Sequence, residues 1–164
     1  MHFQNAVNLE PTNPILITEL GKLYFLSNDI ERAKESFNRA KELKPDYIEA
    51  SVQLALLYET DNPKEAISQM EALAASFPSN VEALFQLGRL YLNNNQTDKA
   101  IVQFEKAIQI FPEHSNSLYS LGLAHQRKGD TEKALFYYNK VLELNPGNAD
   151  VMEKISSLTI PTEE

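Results

Sequence analysis

Cysteine is missing altogether from the 164 residues, which removes disulfide staples, zinc thiolate sites and thiol catalysis together. A cysteine-free chain suits either redox compartment, so that absence leaves the compartment open. Cations are also in short supply. Fifteen Lys and Arg stand against 23 Asp and Glu, a formal charge of -8 that repels a phosphate backbone and argues against nucleic acid as a partner. Long apolar runs are lacking: none reaches the roughly 18 residues that span a bilayer. Met1-His2-Phe3-Gln4 has neither the basic start nor the apolar middle of a secretory leader. The segment is therefore expected to be soluble, without direct membrane insertion, and the missing leader is the sole pointer toward the cytoplasm. No glycine-rich phosphate loop is present. A hydrophobic fraction of 43% is still enough to fill a core, which excludes a disordered chain.

What is present is a beat. Pro11, Pro45, Pro78, Pro112 and Pro146 are spaced by 34, 33, 34 and 34 residues. Each closes a similar phrase: Phe3-x-x-Ala6-x-x-Leu9, Phe37-x-x-Ala40-x-x-Leu43, Phe104-x-x-Ala107-x-x-Ile110 and Tyr138-x-x-Val141-x-x-Leu144, with a divergent Met70-x-x-Leu73 before Phe77-Pro78. Apolar residues three apart share one helical face, so each phrase is the latter half of an amphipathic helix. The proline stops it, having no amide hydrogen to donate.

Upstream of the last four phrases lies a second signature: Leu20-Gly21-x-x-Tyr24, Leu54-Ala55-x-x-Tyr58, Leu87-Gly88-x-x-Tyr91 and Leu121-Gly122-x-x-His125. Glycine costs about 1 kcal/mol inside a helix relative to alanine. Its return at one phase implies a compensating gain, the close approach of a partner helix, with Ala33, Ala66, Ala100 and Ala134 supplying the facing surface. Asn13-Pro14 and Asn62-Pro63 mark helix starts, and Asp29, Asp130 and Asn148 are read as caps of the same kind. In the third unit, Asn93 to Thr97 offers several candidate caps.

These residues resemble the tetratricopeptide repeat family, whose 34-residue helix-turn-helix unit carries this small-residue, aromatic, alanine and proline pattern. The likeness covers nearly the whole chain: a second-helix fragment at 1–11, units at 14–47, 48–80, 81–114 and 115–148, a capping helix at 149–158 and a tail at 159–164. The departures are a one-residue deletion near Asp61-Asn62, Met70 and Leu73 in place of an aromatic and a small residue, and His125 in place of tyrosine. The opening in mid-helix is read as a domain excised from a longer protein. At the far end, Ile155 and Leu158 are expected to cover the last unit while Glu153 and Lys154 face water.

The resemblance implies an all-α fold, an α-solenoid forming a right-handed superhelix of about four units, whose first helices line a concave surface for peptides or partner helices. Carried over by phase, that surface holds Ile15, Thr18, Glu19, Lys22, Phe25 and Leu26, then Glu49, Val52, Gln53, Leu56, Glu59 and Thr60. The third unit adds Glu82, Phe85, Gln86, Arg89, Leu92 and Asn93, and the fourth Asn116, Tyr119, Ser120, Leu123, Gln126 and Arg127. The candidate peptide-binding residues are Gln53, Leu56, Phe85, Gln86, Arg89, Asn93, Asn116, Tyr119, Leu123 and Arg127. Phe85, Tyr119, Arg89 and Arg127 are the candidate hot spots, because aromatics and arginine dominate interface energies. The alternative makes Phe85 and Tyr119 groove floor and the arginines solvated charges. The family's chaperone-tail clamp is absent, since the corresponding phases carry Thr18, Gln53, Leu56, Glu82 and Gln86.

Catalysis finds no support. His2, His114 and His125 lie at a terminus, in an inter-repeat turn and at a tyrosine phase, none at ligand or triad spacing. Glu31, Glu35, Glu132 and Glu143 interleave with Arg32, Lys34, Lys133 and Lys140 as on a solvated helix face. Asn95-Gln96-Thr97 fits the N-glycosylation consensus, a three-residue match of low specificity. The chain is thus expected to be a non-catalytic protein-interaction scaffold with no cofactor and no metal. Its alternatives are a soluble appendage of a larger enzyme or membrane-associated assembly, and a homo-oligomer formed through the N-terminal half-unit. Phe37→Ala or Phe104→Ala is predicted to cost roughly 3 to 5 kcal/mol in a chemical melt; a loss well under about 1 kcal/mol would contradict the phase.

Overall fold

The prolines and caps cut the chain as the spacing requires. The computed structural model describes residues 9–159, and among these the ordered elements are nine α-helices. First helices of the pairs are α1 (Pro14–Leu26), α3 (Ile48–Leu57), α5 (Val81–Asn93) and α7 (Ser115–Arg127); the second helices are α2 (Ile30–Leu43), α4 (Pro63–Ser76), α6 (Thr97–Ile110) and α8 (Thr131–Leu144). A last helix, α9, covers Ala149–Thr159. Helices α2, α4, α6 and α8 each stop two residues before Pro45, Pro78, Pro112 and Pro146, because the residue preceding proline is pushed out of helical geometry. The phrase at Phe3 and Ala6 lies outside the described residues.

The caps act through carboxylate or amide oxygens. Asn13 Oδ1 accepts from the amides of Ile15 and Leu16, Asn62 Oδ1 from Glu65, Asp29 from Arg32, Asp130 from Lys133 and Asn148 from Val151. Asn80, which sequence reasoning passed over, caps α5 by accepting from Ala83 at 2.8 Å. In the third unit the polar turn resolves differently from a simple cap: Gln96 occupies the cap position without a side-chain bond, while Asn94 Nδ2 donates back to Leu90 O at the end of α5.

Asn28, Asn95 and Gly129 hold the turns between paired helices with φ of 60°, 59° and 74°, the left-handed region that Asn and Gly tolerate best. The second pair lacks such a residue. The one-residue deletion read near Asp61-Asn62 falls there, and α3 gives up its last turn to close the connection, with Asn62 N donating to Tyr58 O at 2.8 Å.

The chain folds as two compact units, one ending at Ser76 and the other beginning at Phe77. In the N-terminal unit α2 packs on α1 and α3, and α4 on α3; in the C-terminal unit α6 packs on α5 and α7, and α8 on α7 and α9. The expected alanines Ala33, Ala66, Ala100 and Ala134 are completely buried. In three of the four pairs a ring is laid directly on a glycine. A Cβ placed on Gly21 would sit 2.6 Å from Phe37 Cε1, one on Gly88 2.5 Å from Phe104 Cε1, and one on Gly122 2.5 Å from Tyr138 Cε1. No real side chain tolerates these distances, so glycine at this phase is a packing requirement. The second pair carries Ala55 and Met70 instead, both buried; the larger small residue accompanies a slimmer, flexible partner.

At the C-terminus Ile155 and Leu158 pack on the cluster around Leu118, Tyr138 and Val151, as expected of a cap. Thr159 belongs to α9, not to a tail, and residues 160–164 lie outside the described range. Gly88→Ala is predicted to lower stability by about 1 to 3 kcal/mol through overpacking, against alanine's helix advantage of about 1 kcal/mol. Adding Phe104→Met, which copies the Ala55 and Met70 pairing, should cost less than the sum of the single changes in urea melts. Strict additivity would contradict the ring-on-glycine contact.

Candidate peptide-binding surface

The concave phases divide between the two units. Thr18, Val52, Leu92 and Ser120 are buried, which corrects their assignment to a ligand-facing surface. Thr18 Oγ1 satisfies itself on Pro14 O at 2.8 Å, so even its hydroxyl is spent inside α1. In the N-terminal unit Gln53 and Leu56 are half-buried on α3. Gln53 Nε2 donates to Glu49 Oε1, and Glu49 also holds Lys22 of α1 at 2.8 Å. Partial burial opposes the Lys22 charge, yet the bonds from Glu49 and Glu19 prevail and its pKa stands above the ordinary lysine value.

In the C-terminal unit α5 presents a polar row. Gln86 Nε2 donates to Glu82 Oε1 at 2.8 Å and Arg89 Nε donates to Gln86 Oε1 at 2.8 Å, with Asn93 exposed at the helix end. Spacing of three and four residues stacks these groups on one face. Beside it α7 carries exposed Asn116, half-buried Leu123 and exposed Arg127.

The expected hot spots have contacts that sequence phase did not reveal. Phe85 is half-buried, its ring 6.0 Å from Phe104 and edge-on to His114 at 5.4 Å. Tyr119 donates to Asp150 Oδ2 of α9 at 2.6 Å and its ring lies 5.9 Å from Tyr138. Burial, then the bond to Asp150, pushes the Tyr119 phenol well above its usual range. Lys154, expected to face water, is half-buried, its ammonium 6.0 Å from the centre of the Tyr119 ring. Arg127 Nη1 donates to Leu92 O at 2.7 Å, tying α7 to the end of α5. Arg89 donates to Gln86, which in turn donates to Glu82.

The histidines serve packing. His114 heads α7, with Nδ1 2.7 Å from Ser117 Oγ. That distance alone would fit a base and a nucleophile, but Ser117 is completely buried and beyond a substrate's reach. His125 is buried and stacked on Tyr137 at 5.5 Å. Its Nδ1 lies 3.4 Å from Asp130 Oδ2, and among the described residues neither ring nitrogen has a hydrogen-bond partner. Burial dominates over Asp130 and holds the His125 pKa below its ordinary value. No described helix is long and apolar enough to cross a membrane.

Paired helices with this ring, glycine and proline grammar define a helical-repeat protein of the all-α class. Tetratricopeptide repeat profiles match residues 16–47, 53–115 and 115–148, and the chain belongs to that family. Its fold is similar to that of PilF from Pseudomonas aeruginosa, with a TM-score of 0.80 and 26% identity over 89% of this chain and 67% of that one. It is similar also to MamA, with a TM-score of 0.67 and 28% identity over 94% and 87% of the two chains. YrrB, described as a TPR protein with an unusual peptide-binding site, shares the fold at 21% identity and a TM-score of 0.70, over 94% and 80% of the chains. By sequence, 95 residues are 32% identical to Anaphase-promoting complex subunit 3 of Schizosaccharomyces pombe, covering 55% of this chain and 14% of that protein. A stretch of 76 residues is 36% identical to Protein O-mannosyl-transferase Tmtc3 of Drosophila melanogaster, covering 46% of this chain and 8% of that protein.

The depressed His125 pKa predicts a sign for pH dependence. Unfolded histidine protonates near 6.5, before the folded residue does. Stability from the neutral ring is therefore whole above that value and is lost as pH falls toward the folded pKa. Urea midpoints measured from about pH 7.5 to 5.5 should fall for the natural chain and fall less for His125→Tyr. Parallel curves would contradict a buried neutral His125.

Proposed function

We propose that the protein is a non-catalytic interaction module that takes an extended peptide across the first helices of its C-terminal unit. The observation that carries this reading is the row Glu82, Gln86, Arg89 and Asn93 on α5, set beside Asn116, Leu123 and Arg127 on α7. Side-chain amides both donate and accept, so they suit a peptide backbone, and a guanidinium suits a carbonyl or carboxylate. Leu123 offers a place for one apolar side chain. Phe85, Tyr119 and Arg127 act as floor and wall, each held by a neighbouring helix. Gln86, Arg89, Asn93 and Asn116 are then the groups that read the ligand. The peptide-binding description of YrrB is compatible with this assignment. Family membership agrees with a protein partner, and the acidic balance speaks against nucleic acid.

A second reading has its own observation. The matched stretches make up only 14% and 8% of the two curated relatives, so this chain corresponds to a small portion of much longer proteins. The module then acts as the repeat appendage of a larger assembly or enzyme, and the groove contacts a neighbouring subunit.

A peptide selected from a display library against the full chain should bind Arg89→Glu with Asn93→Ala at least about tenfold more weakly, with thermal unfolding unchanged. Equal affinity for the variant and the natural chain would place the ligand elsewhere.

A further inference from the structure

The deletion in the second repeat leaves an apolar notch at the end of α1. Helix α3 has 10 residues where α1, α5 and α7 each have 13. At 1.5 Å per residue the shortfall is about 4.5 Å of helix. In the C-terminal unit the corresponding cover is in place: Arg127, in the last turn of α7, donates to Leu92 O at 2.7 Å, and Leu92 is 5% exposed. In the N-terminal unit Phe25 stands at the phase of Leu92 and Thr60 at that of Arg127. Thr60 lies in the turn beyond α3, and Phe25 is 44% exposed with Leu26 next to it at 80%.

The opening belongs to the concave phase and not to a chain end. Asn116 and Arg127, at the phases of Ile15 and Leu26, are exposed although α5, α6 and α8 all pack on α7. Where α7 carries an amide and a guanidinium at these open phases, α1 carries Ile15, 55% exposed, and Leu26. The polar part of the face has its own sign. Concave phases of the N-terminal unit carry Glu19, Glu49 and Glu59 against Lys22 alone, whereas those of the C-terminal unit carry Glu82 against Arg89 and Arg127. Lys22 is shared by Glu19 at 3.0 Å and Glu49 at 2.8 Å, so one ammonium serves two carboxylates.

We propose that the notch is a docking site for a short extended segment of a partner protein, one that carries a bulky apolar side chain two or three positions from a lysine or arginine. The apolar side chain packs on Phe25 and Leu26, and the cation meets the carboxylates of Glu19 and Glu49. The spacing follows from geometry. Leu26 lies four residues from Lys22 and seven from Glu19, about 6 to 10 Å along the helix axis, and a strand laid beside it covers that length in two or three residues. The same carboxylates repel an acidic segment. This sets the site apart from the polar row on α5 and α7, whose guanidiniums favour carbonyls and carboxylates. The two surfaces stand or fall independently.

The test is selection of random displayed heptapeptides on the full chain, with counter-selection on Leu26→Asp. Peptides held by the natural chain and lost by the variant are expected to pair Leu, Ile, Phe, Trp or Met with Lys or Arg at the stated spacing. One of these peptides, labelled and titrated by fluorescence anisotropy, should bind at least about tenfold more weakly to Leu26→Asp, and likewise to Glu19→Gln with Glu49→Gln. Its affinity for Arg89→Glu should be that for the natural chain. Because Leu26 is so exposed, its replacement should leave the circular dichroism melt intact, and the milder Leu26→Ser carries the same comparison. A selection without peptides that depend on Leu26, a selected set rich in Asp and Glu, equal affinity for the Glu19 and Glu49 variant, or weakening by Arg89→Glu would overturn the proposal.

Discussion

Everything in this fold depends on how closely two helices approach. In three of the four pairs a ring from the second helix rests directly on a glycine of the first, at distances that exclude even a methyl group. That contact fixes the phase of both helices, and the phase decides which residues face the neighbouring pair and which remain for a ligand. The glycine's helix penalty of about 1 kcal/mol is offset by the aromatic burial it permits. Repetition then does the rest, since no single pair covers its own apolar face.

Much of this was legible in the chain. Proline stops, Asn and Asp caps and the paired glycine and aromatic phrases each carry a local physical cause, and each set a helix boundary or junction where expected. The deletion near Asp61 was visible as a spacing of 33, but its consequence was not, because only the structure shows that the lost residue is the left-handed one. Reach was the larger blind spot. Phase places Phe85, Tyr119 and Arg127 on one face of their helices without saying what else lies within their length. His114, Asp150 and the Leu92 carbonyl sit on other elements, and they claim those side chains. Lys154 was read as a surface cation, and its ammonium in fact lies over the Tyr119 ring.

Function in such a protein lives on surfaces left after packing is satisfied. The row on α5 and α7 is polar and made of amides and arginine, the chemistry proposed for an extended backbone.

The central claim is that ligand recognition belongs to the polar row of the first helices in the C-terminal unit. Backbone amide chemical-shift mapping during titration with a library-selected peptide addresses it directly. Shifts concentrated at Gln86, Arg89, Asn93, Asn116 and Leu123 are the predicted result. Shifts concentrated instead on the outward residues Val102 and Phe136 of the second helices would contradict it.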